Sequence, residues 1–209
     1  MGHALDDTEQ GVLSFWFGEL DGHADIDAGK QRLWWNGGPD IDGEIRDRFG
    51  ATVEAALAGE LDHWKKTARG SLALVILLDQ FTRNLGRGTP DAFAGDEKAL
   101  ATCLHARNTG QDQELKLIER AFLYMPMMHA EDREMAETCK ACFAELSKEI
   151  SEKTAKGFPD FNKHATEHAA IVLRFGRYPH RNEILERTST QEEHHFMAQG
   201  APSFGQKKK

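Results

Sequence analysis

Leu72-Ala73-Leu74-Val75-Ile76-Leu77-Leu78-Asp79-Gln80-Phe81-Thr82-Arg83-Asn84 is the stretch whose conformation decides the fold. Seven consecutive apolar residues suit a buried strand or a buried helical segment, and periodicity alone does not separate the two. Two features favour helix. Residues without β-branching dominate the run, and Asp79 to Asn84 extend it with no turn signal. There is also no second run of this kind for a strand to pair with. A helix that is apolar all round is a central one, enclosed by other helices.

The flanking sequence supplies those helices. Val12, Phe15, Trp16 and Leu20 recur near the helical period, with Asp6, Asp7 and Glu9 placed for the first turn. A loop rich in Asp and Gly leads to Trp34-Trp35 and the breaker Asn36-Gly37-Gly38-Pro39. Asp40 then caps a helix with the stripe Ile41, Ile45, Phe49, Val53, Ala56 and Leu57. Beyond Gly86-Arg87-Gly88-Thr89-Pro90 the spacing predicts helices over about 95–108, 112–125 and 131–156, with Pro126 ending the second. Gly157-Phe158-Pro159 separates the third from a helix opened by Asp160 and closed by Gly176 and Pro179. A short helix over 182–186 follows, then a last turn capped by Ser189 with Glu192 or Thr190 with Glu193. The expectation is one all-α domain over 1–198, built of antiparallel helical hairpins in layers, with a flexible polar tail over 199–209.

Composition narrows the function classes. The chain has 209 residues, 40% hydrophobic and 29% charged, the balance of a soluble globular protein. No apolar run approaches the roughly 20 residues of a membrane helix. No secretory leader is expected, because no basic segment precedes an apolar one at the N-terminus. Lys and Arg number 26 against 34 Asp and Glu, a net charge of −8, which argues against binding to nucleic-acid phosphates. Three cysteines are too few for a disulfide framework and suit the cytoplasm.

Three segments concentrate polar chemistry. In the first, Asp79 with Arg83 and Gln80 with Asn84 share helix faces where the central helix leaves its apolar run. In the second, Pro126 of Tyr124-Met125-Pro126-Met127-Met128-His129 lacks an N–H, and His129 lies just beyond the expected break. The methionines there read as core filler. The third, Arg174-Phe175-Gly176-Arg177-Tyr178-Pro179-His180-Arg181-Asn182, gathers guanidinium forks suited to carboxylate or phosphate oxygens. Arginines in a last helical turn also serve the helix dipole, which accounts for Arg174 and Arg177 but not for His180 and Arg181. No metal or other cofactor is expected. His164 and His168 have a ligand-like spacing, but His164-Ala165-Thr166-Glu167-His168 matches a zinc signature over five residues alone. Cys139-Lys140-Ala141-Cys142 falls on an apolar helical stripe and reads as packing.

These segments, with Val12-Leu13-Ser14-Phe15-Trp16-Phe17, resemble the mainly bacterial family called domain of unknown function 924, over almost the whole chain. The resemblance implies a tetratricopeptide-like helical fold without an obvious repeat, and it brings no assigned activity. Two functions are then expected as alternatives. In one, a small anionic ligand is held between helices by Gln80, Arg83, Asn84, Arg174, Arg177 and Arg181. His129 or His180 would serve it as general acid or base, oriented by Asp79. In the other, the helical array is a scaffold that clamps an acidic peptide or C-terminus. A homo-oligomer is compatible with either.

Overall fold

The run from Leu72 is helical and central. In the computed structural model, which describes residues 8–150 and 158–206, Leu72 through Leu78 are each at most 2% exposed. Thr67 caps α3 (Ala68–Val75) by accepting the Gly70 N–H at 3.0 Å. The helix then widens into a π-helical segment, Ile76–Phe81, before resuming as α4 (Thr82–Leu85). The Thr82 hydroxyl donates to the Leu78 carbonyl at 2.8 Å within the widened region. Such π-insertions are rare and recur at functional sites. Here the insertion contains Asp79.

Around this axis lie α1 (Glu9–Phe17), α2 (Pro39–Ala58), α5 (Asp96–Asn108) and α6 (Leu117–His129), followed by α7 (Arg133–Glu149), α8 (Phe161–Phe175) and α9 (Gln191–Ala198). Helices α1, α5 and α6 pack on α3, while α2 packs on the π segment and α4. Helices α6 and α7, joined by three residues, form an antiparallel hairpin, and α8 packs along α7. The described residues contain no strand. The core is aromatic: Phe81 meets Phe49 at 5.0 Å and Trp16 at 5.6 Å between ring centroids, and Trp16 meets Phe122 at 5.6 Å. Each of these fully buried rings contributes on the order of 1.5–3 kcal/mol.

Several local expectations are corrected. Helix α6 runs through Pro126 to His129, because the helical path resumes with the Ala130 N–H bonded to the Pro126 carbonyl at 3.1 Å. His129 is thus the last residue of a helix, not the first of a loop. Helix α6 also starts later than residue 112, since Leu115 and Lys116 are extended and only a short 3-10 turn, Gln111–Glu114, precedes them. Asp40 lies in the first turn of α2, behind Gly38 and Pro39, and is not its cap. The helix expected over 182–186 is a turn following a 3-10 segment, Pro179–Arg181. Of the two capping boxes, Thr190 with Glu193 is the one formed. The helix expected to reach 156 ends at Glu149, where Ile150 is extended; Asp6, Asp7 and residues 151–156 lie outside the described residues.

Gly95 fixes how α5 meets the π segment. A Cβ there would lie 2.0 Å from the Leu78 carbonyl oxygen, a contact with rigid backbone. Gly95→Ala is therefore expected to lower stability by about 1–3 kcal/mol, the usual cost of overpacking. Urea unfolding of the two proteins checks this, and equal midpoints would disprove the close approach.

Candidate functional site

Asp79 is fully buried, and an isolated carboxylate could not stay ionised there. Three groups compensate. Arg83 Nη1 lies 2.9 Å from Asp79 Oδ1 and donates to the Asp79 carbonyl at 2.7 Å. Gln80 Nε2 donates to Oδ2 at 2.6 Å. His129 Nδ1 lies 2.8 and 2.9 Å from the two carboxylate oxygens. Burial pushes the Asp79 carboxyl up, but the charges of Arg83 and His129 and the hydrogen bonds from His129 and Gln80 outweigh it, holding the group at about 2. Burial acts the other way on His129, pushing the imidazole below its ordinary value against the pull of Asp79. The pair at neutral pH is a carboxylate and a neutral imidazole with its proton on Nδ1.

The network continues outward. Arg83 Nη2 stands 2.9 Å from Asp96 Oδ1, close enough for charge pairing but misaligned for a hydrogen bond. Arg181 Nη1 lies 3.1 Å from the other Asp96 oxygen. Arg181 Nη2 donates to the His129 carbonyl at 2.9 Å, and the Tyr178 hydroxyl donates to that of Met128. The third sequence motif therefore closes the C-terminal end of α6, whose carbonyls lack helical partners. Arg181 also lies between the Phe93 and Tyr178 rings, 4.5 and 4.7 Å from their centroids. Two carboxylates, Asp79 and Asp96, balance two guanidiniums, Arg83 and Arg181.

His129 lines a cavity of about 440 Å³ beside this network. Gln80, Arg83, Asn84 and Arg87 border it on one side, and Trp34, Trp35, Phe161, His164, His168 and Phe204 supply rings. Trp34 Nε1 donates to the Trp16 carbonyl at 2.9 Å, which fixes the short π-turn Arg32–Asn36 against α1 and sets Trp35 at the cavity. Arg87 is bidentate to Asp42 at 2.9 and 3.0 Å, and Asn84 donates to the same carboxylate at 2.9 Å. Residues 199–206, expected as part of a polar tail, return to this edge. Gln206 is buried, accepting from the Gly88 N–H at 3.0 Å and donating to the Arg83 carbonyl at 3.2 Å. Phe204 lies over His168 with centroids 3.9 Å apart.

Of the residues singled out from sequence, Asp79, Gln80, Arg83, His129 and Arg181 come together, with Asn84 on the cavity wall. The others stand elsewhere. Arg177 is bidentate to Glu193 at 2.7 and 2.8 Å and Arg174 pairs with Glu192, so both brace α9. His180 lies against Tyr178 and Phe204, outside the cavity lining, and burial pushes it down to about 3. Asp96, Trp34, Trp35, Phe204 and Gln206 were missed. Asp96 reads as an ordinary first-turn acid; the double tryptophan in a polar loop was the signal that sequence did offer. His164 and His168 reach the cavity without forming a metal centre: among the described residues no three His, Cys, Asp or Glu side chains are placed to hold an ion. Cys139 is buried on α7 with its thiol pushed up to about 12, which leaves it unreactive. A more open cleft of about 600 Å³ lies between α1 and α2, but its cations are engaged, Lys30 with the Phe15 carbonyl and Arg32 with Asp40.

The model of the family described as a bacterial protein of unknown function (DUF924) matches residues 12–201. The chain belongs to this family. Among solved structures it is similar to the protein of unknown function ATU0120 from Agrobacterium tumefaciens, at 34% identity and a TM-score of 0.76. That match covers 92% of this chain and 97% of the other. No curated protein matches. Among the described residues no helix is long and apolar enough to cross a membrane.

Removing the charge of Asp79 leaves Arg83 and His129 without their shared partner. Asp79→Asn is expected to destabilise the protein by about 3–5 kcal/mol in urea unfolding. A loss under 1 kcal/mol would mean that the carboxylate does not hold the network. Histidines buried in the neutral form give a second expectation. His168 and His180 sit at about 3 in the folded chain against an ordinary value near 6.5, with burial the first cause for each. The unfolded chain therefore takes up protons that the folded chain refuses. Stability is complete above about pH 6.5 and falls as pH drops below it, by up to about 1.4 kcal/mol per histidine per pH unit. The thermal midpoint should fall between pH 7 and pH 5, less steeply in His180→Phe; a midpoint that stays level would show that the rings are protonated in the fold.

Proposed function

We propose that the protein binds a small carboxylate or phosphate in the cavity beside Asp79, with His129 as a general base toward it. One observation carries the reading: His129 spends Nδ1 on a buried carboxylate and lines the cavity with Nε2 unpartnered among the described residues. A neutral imidazole fixed in this tautomer by a carboxylate is oriented to take a proton. The charge of the lining supports an anion. Its ionised groups are Arg83 and Arg87, with no Asp or Glu among the described residues that border the space. Arg83 is committed to Asp79 and Asp96, whereas Arg87 is about a third exposed and has only a long contact, 3.5 Å from Nη1 to the Gly205 carbonyl, beyond its pairing with Asp42. Arg87 is the group assigned to the anion, in place of the more distant Arg174 and Arg177.

The scaffold alternative calls for apolar side chains along an open groove. The large apolar side chains most exposed among the described residues, Trp35 at 44% and Phe204 at 38%, both border this cavity. That favours a small ligand with a flat or apolar body.

A thermal-shift screen of carboxylates and phosphates tests the reading. A ligand at 100 times its Kd should stabilise by about 2.7 kcal/mol, roughly 5–10 °C for a chain of this size. The shift should vanish in Arg87→Gln. No shift with any anion, or an equal shift in Arg87→Gln, would refute the site.

A further inference from the structure

His129 is not the only imidazole that offers the cavity a bare nitrogen. His168 Nδ1 lies 2.8 Å from the His164 carbonyl. A carbonyl only accepts, so Nδ1 carries the ring proton. Burial resists a second proton on the ring. Nε2 of His168 is then a lone-pair acceptor, as Nε2 of His129 is. The two rings stand 6.2 Å apart between centroids, and both line the cavity. Neither Nε2 meets a donor among the described residues, and neither is sealed from the cavity as a buried orphan. Phe204 stacks over His168 at 30° between planes, so it covers a ring face and leaves the nitrogen edge.

This pattern constrains what the anion must be. A ligand made only of acceptors could satisfy Arg87 but would set its oxygens or its apolar body against two lone pairs. An acceptor enclosed without a donor forfeits the hydrogen bond it had with water. Resting on the anion-binding reading above, we propose that the cavity selects a carboxylate or phosphate bearing a hydroxyl group, which donates to Nε2 of His168. The anionic end meets Arg87, and Nε2 of His129 remains as a second acceptor toward the ligand. Trp35 and Phe204 border the same space and cover the carbon skeleton.

Isothermal titration calorimetry on the full chain tests this with isosteric pairs: para-hydroxybenzoate and para-methylbenzoate, lactate and isobutyrate, 2-hydroxyethyl phosphate and propyl phosphate. The hydroxylated member of a binding pair should have a Kd at least about ten-fold lower. In His168→Phe, which keeps a ring against Phe204 but removes the acceptor, that ratio should fall toward one while the other member binds as before. Should this variant fail to fold, 15N spectra of the wild-type histidines provide the readout. The His168 Nε2 resonance should move with the hydroxylated member and stay with its partner. Equal affinities within every pair, lost together in Arg87→Gln, would overturn the hydroxyl preference and leave the anion site standing. Binding by none of the six would overturn both.

Discussion

A carboxylate in the middle of a core helix is the constraint around which this molecule is arranged. Asp79 follows seven apolar residues and is fully buried, so its charge must be matched within the protein. The π insertion at Ile76–Phe81 includes it. Arg83 and His129 then meet the carboxylate from two directions, one from the next turn of the same helix and one from the end of α6. Arg83 brings in Asp96, and Asp96 brings in Arg181. Each link leaves a charge or a carbonyl for the next to satisfy, and removal of one member strands its neighbours.

This chain also explains why three motifs far apart in sequence occur in one protein. The turn around Tyr178 and Arg181 closes the carbonyl end of α6, and that end carries His129. Glu131, in the next loop, receives the Tyr178 N–H at 2.7 Å and pairs with Arg187, tying the turn to the same place. The motif thus serves two purposes. Arg174 and Arg177 hold α9, whereas Arg181 supports the buried network. Its positive charge is spent on carboxylates of the protein itself, Glu192, Glu193 and Asp96.

The cavity lies between this network and a set of aromatic rings, some of them core residues. Trp35 and Phe204 retain substantial exposure at its edge. Such an arrangement, apolar rings beside a few fixed polar atoms, is the usual construction of a small-molecule site between helices.

The sequence by itself determined the all-helical class, the central position of the Leu72 run and most helix boundaries, because apolar periodicity and caps act over a few residues. It also singled out Asp79, Arg83 and His129, since polar residues next to a core run stand out in one dimension. It misjudged Pro126, because whether a proline ends a helix depends on packing that can carry the chain past a missing hydrogen bond. Only the tertiary structure decided which arginines reach the network. Arg174, Arg177 and Arg181 look alike in the sequence, but one turn of Pro179–Arg181 sends the last inward. Asp96, Trp35 and Gln206 joined the site for the same reason: partners separated by tens of residues are fixed by how helices pack, and no local spacing encodes that distance.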